Sequence, residues 1–183
     1  MTPLLTLLRQ HVPADASEAD MTARTIAFVE ANPTRCFERS LLEGHITGSA
    51  WITSPGRDRV LLIHHRKLDR WFQPGGHTDG DPDVAAVALR EAREETGLTG
   101  IQPGSPAIFD VDIHAIPARG DVPEHLHYDI RFLFRTQIIS PHLVGENREV
   151  KAIRWLLPDE AEQLADSESI SRMVRKSRIY PGN

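Results

Sequence analysis

The spacing of apolar residues changes at Thr47, from a helical period to a strand-like one. Two helices are predicted before the change, one over residues 3–11 and a second that starts near Ser17, whose side chain can cap it. The second helix carries a single apolar stripe and ends before Pro33, because the residue preceding a proline disfavours the helical conformation. We therefore predict a helical extension over residues 1–44 and a second unit over residues 45–183.

In the second unit, short runs of alternating apolar and polar positions are typical of strands that bury one face. Strands are predicted in "TGSAWIT" and "RVLLIHH", which flank the turn "SPGRD", and at residues 107–116, 126–137 and 150–157. Helices are predicted at residues 82–96, from Pro158 to Leu164 and from Ser167 to about Ser177. Because helices stand before, between and after the strands, we predict an α/β fold of the α+β type, with a mixed sheet packed between helices.

The helix predicted at residues 82–96 concentrates negative charge on one side. Asp81 can cap this helix, and Pro82 suits its first turn. Further along, Glu91, Glu94 and Glu95 fall within an arc of about 100° on its surface. Like charges three and four residues apart repel each other by a few tenths of a kcal/mol per pair, so some cation should offset them.

Two interpretations supply that cation. In the first, the glutamates form a solvated face with Arg90 and Arg93 as partners. In the second, several carboxylates and a backbone carbonyl form an oxygen-rich site for Mg²⁺ or Mn²⁺. The glycine turn at Gly75-Gly76 favours the second interpretation, because no side chain there blocks the approach of the backbone.

The stretch "QPGGHTDGDPDVAAVALREAREETGL", residues 73–98, resembles the Nudix box, G-x5-E-x7-R-E-U-x-E-E-x-G-U, in which U is an aliphatic residue. Gly76 begins the match, which continues at the required spacings with Arg90, Glu91, Ala92, Glu94, Glu95, Gly97 and Leu98. Pro82 stands where the first glutamate of the motif belongs, and Asp81 or Asp83 can take over its contact with the motif arginine. The resemblance covers roughly residues 45–165 and implies a Nudix-like α/β/α sandwich.

Nudix enzymes hydrolyse a nucleoside diphosphate linked to another moiety, so the resemblance implies a metal-dependent cleavage of a pyrophosphate linkage. It implies that the carbonyl of Gly75 and the carboxylates of Glu91, Glu94 and Glu95 hold Mg²⁺ or Mn²⁺. A water activated by the metal would attack phosphorus while a carboxylate takes its proton. Nucleoside diphosphate sugars, including ADP-ribose, are the first expected substrates, and nucleoside triphosphates are the second.

The general base varies within the family, being a glutamate of a later loop in some members and a box glutamate in others. In "GENREVKAIRW", Glu149 is the first candidate and Glu146 the second. Glu94 is the candidate within the box, and we place Arg90, the motif arginine, in the catalytic set. The alternative for the two loop glutamates is that they are ordinary exposed carboxylates.

The segment "EHLHYDIRFLF", residues 124–134, alternates apolar positions with His125, His127, Asp129 and Arg131. That pattern predicts a strand with one polar face, which is either solvated or turned toward a ligand. Together with His77 of the glycine turn, the two histidines can donate hydrogen bonds to phosphate or ribose. We predict that His77, His125 and His127 line the substrate cleft, with Asp129 orienting an imidazole or contacting ribose. A zinc site made by these histidines is the second alternative.

Composition narrows the partners. With 183 residues, 40% of them hydrophobic, and a net charge of −5, the chain has the balance of a globular protein, and nothing in its composition suggests a nucleic-acid polymer as a partner. The small nucleotide substrate is what the resemblance implies. The first apolar run is too short to cross a membrane and lacks the features of a signal peptide. The single cysteine, Cys36, cannot form an internal disulfide, so we expect a cytoplasmic protein, with a homodimer left open.

Two other functions remain as alternatives. A Nudix-fold module without catalysis would bind a ligand or partner only, but such modules typically lose box glutamates. An isopentenyl diphosphate isomerase shares the fold and needs a catalytic cysteine beside the site. Cys36 precedes the first predicted strand of the core, which disfavours this alternative.

Overall fold

The computed structural model describes residues 2–137 and 149–179. Within them the helices are α1 (Pro3–Gln10), α2 (Ala16–Ala31), α3 (Val84–Thr96), α4 (Pro158–Ala165) and α5 (Glu168–Ile179). The strands are β1 (Gly44–Thr53), β2 (Val60–His65), β3 (Arg70–Phe72), β4 (Gly75–His77), β5 (Ile101–Ile116), β6 (His125–Thr136) and β7 (Val150–Leu156). Each helix and strand predicted from the sequence is present, with bounds that differ by a few residues.

The seven strands form one mixed sheet, as predicted. Its main path is β3-β2-β1-β6-β5, while β4 pairs with β1 and β7 pairs with β2. The pairing of β1 with β6 is parallel, and the other pairs are antiparallel. Strand β1 therefore has β6 along one edge and β4 along the other, which sets side chains of three strands next to one another.

Helices cover both faces of the sheet and confirm the predicted sandwich. Alternate residues of β1 enter two separate cores, because successive side chains of a strand point to opposite faces. Ile52 packs with α1, α2 and α3 on one face, whereas Trp51 packs with α4 and α5 on the other. The helices predicted as an extension thus share the first core, where Phe28 of α2 stacks on Tyr128 of β6 with ring centroids 4.0 Å apart.

Two helix starts differ from the prediction. Asp15 rather than Ser17 caps α2, since its carboxylate accepts a hydrogen bond from the Glu18 backbone N–H at 2.8 Å. Asp83 rather than Asp81 caps α3 and accepts from the backbone N–H of Ala86 at 3.0 Å. Each helix begins directly after the aspartate that caps it, at Ala16 and at Val84.

Strand β5 begins at Ile101, earlier than the predicted residue 107. The intervening Pro103 and Pro106 argued against a strand, because proline cannot donate to the ladder. The structure accommodates them with irregularities in the pairing with β6 between Pro103 and Ile108. Prolines are tolerated there because β5 is the terminal strand of the sheet path.

Candidate functional site

The glutamate face of α3 lies against the glycine turn of β4. Ala88 and Ala92 are buried in the core, so the neighbouring face carries the glutamates toward Gly75 and Gly76. The carboxylate of Glu95, whose residue is only 5% exposed, accepts a hydrogen bond from the Gly75 N–H at 2.9 Å. At Gly76, an added Cβ would lie 2.6 Å from the carboxyl carbon of Glu91. Glycine is therefore needed at residue 76 for this approach.

Burial and mutual repulsion raise the pKa of two of these carboxyl groups. Burial raises the pKa of Glu95 to about 8, and the charges of Glu91, Glu149 and Glu94 add to the effect. Burial and the charge of Glu94 also raise the pKa of Glu91, against the opposing effect of Arg90. Carboxylates that are crowded out of water are destabilised as anions, so a divalent cation among them would be strongly favoured.

Glu149 lies beside this face, although it is more than 50 residues away along the chain. Its backbone carbonyl accepts a hydrogen bond from the Arg66 N–H at 2.6 Å, and Lys67 Nζ is 3.7 Å from its carboxylate. Its charge raises the pKa of both Glu91 and Glu95, so the side chain is within electrostatic reach of them. The second predicted base, Glu146, lies outside the described residues.

The motif arginine has two acidic neighbours. Arg90 lies 3.8 Å from the carboxylate of Asp81 and 3.5 Å from that of Glu91. Asp81, one of the two expected substitutes for the glutamate that is absent at Pro82, therefore lies within ion-pair distance of the motif arginine. Asp83, the other one, caps α3 instead.

Five histidines gather beside the glycine turn. His77 ends β4 directly after Gly75 and Gly76, and His127 lies on β6. Between them stands His45 of β1, which pairs in register with His127. The rings of these three have centroids 4.7–5.1 Å apart. At the edge of the group, His125 stacks on His45 and His114 contacts His127 edge to face. The strand pairings, and not sequence proximity, bring them together.

Sequence reasoning missed His45 and His114. The alternation of β1 puts His45 on the same face of the strand as Thr47 and Ser49, but it does not show which residues of other strands lie beside it. His114 is two residues from Asp112, whose carboxylate lies 3.3 Å from its Nδ1 atom. Neither histidine stands near the box in the sequence, so the strand pairing was needed to place them.

The inner histidines are neutral imidazoles at neutral pH. Burial lowers the pKa of His45 and of His77 to about 4, with smaller contributions from nearby positive charge. Burial and the neighbouring histidines lower the pKa of His127 to about 2. Neutral imidazole offers a lone pair to a metal ion or accepts a hydrogen bond, whereas the protonated ring can do neither.

The polar face of β6 is not solvated. Asp129 and Arg131 are each 2% exposed, so the solvated alternative is wrong for these two residues. The carboxylate of Asp129 accepts hydrogen bonds from Thr47, Ser49, Gln73 and Arg131, at 2.7–3.2 Å. These partners tie β6 to β1 directly below the histidines.

A sequence model of the NUDIX domain matches residues 45–176 of the chain. The isopentenyl-diphosphate Delta-isomerase of Ruegeria pomeroyi is 31% identical over 108 residues, which cover 55% of this chain and 57% of that protein. The phosphatase NudJ of Escherichia coli O1:K1 is 26% identical over 154 residues, or 77% of this chain and 90% of NudJ. The chain spans about half the length of several curated relatives that it matches.

Solved structures support the same fold. The crystal structure of a NUDIX-family hydrolase from Clostridium perfringens has a TM-score of 0.53 and 25% identity, over 74% of this chain and 97% of that one. Among the described residues, no helix is long and apolar enough to cross a membrane.

Proposed function

Because the chain belongs to the NUDIX family, we propose that it hydrolyses the pyrophosphate linkage of a nucleoside diphosphate joined to another moiety. The expected substrates are nucleoside diphosphate sugars such as ADP-ribose, followed by nucleoside triphosphates. The observation that carries this proposal is the crowding of Glu91, Glu94, Glu95 and Glu149 around one glycine turn. A diphosphate is itself an anion, so such a site needs a cation before it can accept one.

The residues present fit Mg²⁺ or Mn²⁺. Glu95 is buried and has a raised pKa, and the carboxylate of Glu91 lies against Gly76. Both side chains offer the oxygen ligands that these ions prefer. In the proposal Glu91, Glu94, Glu95 and the Gly75 carbonyl hold the metal. When bound, the metal supplies Lewis acidity, polarising phosphoryl oxygens and lowering the pKa of water.

The chain itself contributes the proton acceptor and the positioning groups. Glu149 takes the proton of the attacking water, since its carboxylate adjoins the metal-binding face and remains exposed. Glu94 is the alternative base within the box. Arg90, held between Asp81 and Glu91, keeps the glutamate face and the loop before α3 in register.

The predicted substrate contacts border the same turn. His77 is two residues from Gly75, and His125 and His127 face it from β6. In the proposal they donate hydrogen bonds to phosphate or ribose. Asp129 holds the underlying strands together through Thr47 and Ser49, and its contact with ribose stays a prediction.

A substrate panel tests the proposal. The protein is incubated with nucleoside diphosphate sugars, dinucleoside polyphosphates and nucleoside triphosphates in the presence of Mg²⁺, and phosphomonoester release is measured. We expect release that stops with chelator and returns with Mg²⁺ or Mn²⁺. In ¹⁸O-labelled water the label should enter a phosphate product, because attack is on phosphorus. Label found only on a sugar carbon, or ligand binding without turnover, would contradict the proposal.

The isomerase relative gives a second candidate, and isopentenyl diphosphate belongs in the same panel. The structure weighs against it, because Cys36 is 0% exposed and lies in the apolar core beside Phe37. Burial raises the pKa of this thiol to about 11, which disfavours a reactive thiolate. Isomerisation of isopentenyl diphosphate without phosphate release would reverse this preference.

A further inference from the structure

We propose that His45, His77 and His127 form a second metal site, which binds one Zn²⁺ ion through imidazole nitrogens. It differs from the carboxylate site in its ligand chemistry and in the strands that carry it. We name this group the histidine triad. The inference goes beyond the proposed hydrolysis and does not depend on it. It replaces the direct substrate contacts proposed above for His77 and His127 by contacts made through the ion.

The geometry of the triad suits a single ion. One ligand nitrogen from each histidine can be chosen so that all three lie within 4.8 Å of one another. Zinc–nitrogen bonds of about 2.0–2.1 Å at tetrahedral angles place ligand nitrogens about 3.3–3.4 Å apart. Rotation of the rings about their side-chain bonds would bring the nitrogens closer together. The three side chains come from adjacent strands, which hold them rigidly.

The triad also contains unpartnered buried nitrogens. His45 is 3% exposed, and neither of its ring nitrogens has a hydrogen-bond partner. Nε2 of His127 is likewise buried without one. Across the described residues there are four such side-chain atoms, and three of them belong to the triad. A buried polar atom left unsatisfied costs roughly 1–3 kcal/mol, so this concentration calls for a ligand.

The identity of the ion follows from the donor atoms. Imidazole nitrogen suits zinc and the later transition metals, whereas Mg²⁺ prefers oxygen. Three protein ligands leave a fourth position for water or for an oxygen of a bound molecule, as in zinc sites that act on substrates. The nearby positive charge of Arg39 is partly offset, because Arg39 is paired with Asp79 at 2.7 Å.

Two further histidines surround the triad. Nδ1 of His125 lies 2.9 Å from the carbonyl of Pro123, and that of His114 lies 3.3 Å from the carboxylate of Asp112. Their rings contact His45 and His127, with centroids 5.1 and 5.5 Å apart. Anchored rings of this kind limit the orientations of the ligands, as the outer groups around metal sites generally do.

Zinc binding to the whole protein tests the inference. Protein freed of metal by a chelator is titrated with Zn²⁺ against a chromophoric competitor, with excess Mg²⁺ present to saturate the carboxylates. Co²⁺ is used in parallel, because its visible absorption reports tetrahedral nitrogen coordination. We expect one equivalent of zinc in wild type. His45→Gln, His77→Gln and His127→Gln should each weaken binding more than the roughly 10- to 100-fold that loss of an outer partner costs.

Two controls separate the sites. His64→Gln removes a histidine that stacks on Trp71 outside the triad, and Glu94→Gln removes a ligand of the carboxylate site. Both should bind zinc within about threefold of wild type, since neither supplies a ligand of the triad. Circular dichroism shows whether each variant folds, and half-buried His77 provides a usable variant if His45→Gln does not fold.

Three outcomes would overturn the inference. One is a wild-type protein that binds no stoichiometric zinc. Another is unchanged zinc affinity in all three triad variants, which, with a raised KM, would assign these histidines to direct substrate contact. The third is zinc binding that depends on Glu94 and not on the triad. The zinc titrations themselves do not require hydrolysis, so failure of this inference and failure of the proposed activity are distinguishable.

Discussion

Two groups of carboxylates in this protein differ in whether buried cationic side chains pair with them. The box cluster consists of Glu91, Glu94, Glu95 and Glu149. The ion network consists of Glu18, Asp110, Asp112 and Asp129, together with Arg131, Arg172 and Lys176. Cations beside the box cluster, Arg90 and Lys67, are exposed and lie 3.5 and 3.7 Å from a carboxylate.

In the ion network each carboxylate has a buried cationic partner. Arg131 donates to three aspartates at 2.7–3.1 Å, and Arg172 donates to both oxygens of Asp110 at 2.8 Å. Burial alone would raise the pKa of Glu18, but hydrogen bonds from His11, the Ala14 N–H and Lys176 outweigh it and hold the pKa below its ordinary value.

The contrast shows how the source of the counter-charge can be recognised. Both groups are crowded and partly buried, but the pKa of Glu95 is raised whereas the pKa of Glu18 is lowered. In the network the chain supplies its own cations, so the carboxylates serve stability. In the box cluster, burial destabilises the charged form of the carboxyl groups more than the nearby cations of the chain stabilise it. These carboxylates therefore suit a cation that is added from outside the chain.

The largest expected effect concerns the box cluster. With Glu94→Gln, hydrolysis of the best substrate should fall on the order of a thousandfold or more, equivalent to about 4 kcal/mol of barrier, because a metal ligand is lost. The measurement is kcat/KM at saturating Mg²⁺. Glu168→Gln, which removes an exposed glutamate of α5, is the matched control and should retain activity. If Glu94→Gln keeps nearly wild-type turnover, the box cluster does not bind a catalytic metal, and the proposed contrast with the ion network is wrong.

The second effect concerns the ion network. Asp110 is fully buried and bonds to Arg131, Arg172 and Lys176, so Asp110→Asn leaves positive charge uncompensated. The free energy of unfolding in urea should fall by about 3 kcal/mol, since breaking a buried ion pair typically costs about 3–5 kcal/mol.

The controls for that change are of two kinds. Asp159→Asn removes an exposed partner of Arg178 and should alter the unfolding free energy by less than about 1 kcal/mol. Glu95→Gln in metal-free protein should not destabilise it, because burial and the neighbouring carboxylates already disfavour the charged form of Glu95, and the amide is neutral. Equal losses in Asp110→Asn and Glu95→Gln would show that the two groups do not differ.

The box glutamates could be predicted from the sequence, whereas the ion network could not, and the difference has a physical reason. The box residues lie on one helix after one turn, where spacings of three and four residues fix their relative positions. The ion network joins Lys176 to Glu18 across 158 positions, and Asp129 contacts Thr47 across 82. Such contacts depend on strand order and helix packing, which alternation along a strand does not specify. His45 was missed for the same reason, whereas Glu149 was predicted through the family resemblance.

A third effect concerns how the free energy of unfolding of metal-free protein depends on pH. The folded chain keeps the Glu95 proton up to a pKa of about 8, while the unfolded chain loses it near the ordinary value of 4.5. Between these values the folded state binds more protons, so stability falls as pH rises. The buried histidines act in the opposite direction, but only below their ordinary pKa of 6.5.

The useful window is therefore pH 6.5 to 8, where the effect of the histidines has ended and a comparison with Glu95→Gln isolates the decline that Glu95 contributes. Wild-type unfolding free energy should fall there by about 1–2 kcal/mol relative to Glu95→Gln. Chemical denaturation across the window measures the difference. Added Mg²⁺ should remove the decline, because the ion binds the deprotonated carboxylates. A wild-type slope identical to that of Glu95→Gln would mean that the box cluster titrates like an exposed one.

The smallest expected effect concerns the departure from the motif at Pro82. Asp81 already lies 3.8 Å from Arg90, so the contact that the missing glutamate would make is occupied. Exposed ion pairs contribute roughly 0.2–1 kcal/mol, which limits the change in kcat/KM for Asp81→Asn to about fivefold or less. In the wild-type background, Pro82→Glu should change kcat/KM by less than Asp81→Asn does. In the Asp81→Asn variant, the additional change Pro82→Glu should restore kcat/KM. Rescue by Pro82→Glu would show that the two positions share one contact with Arg90. If Asp81→Asn has no effect, or if the second change does not rescue it, Arg90 is held by Glu91 and the packing of α3 instead.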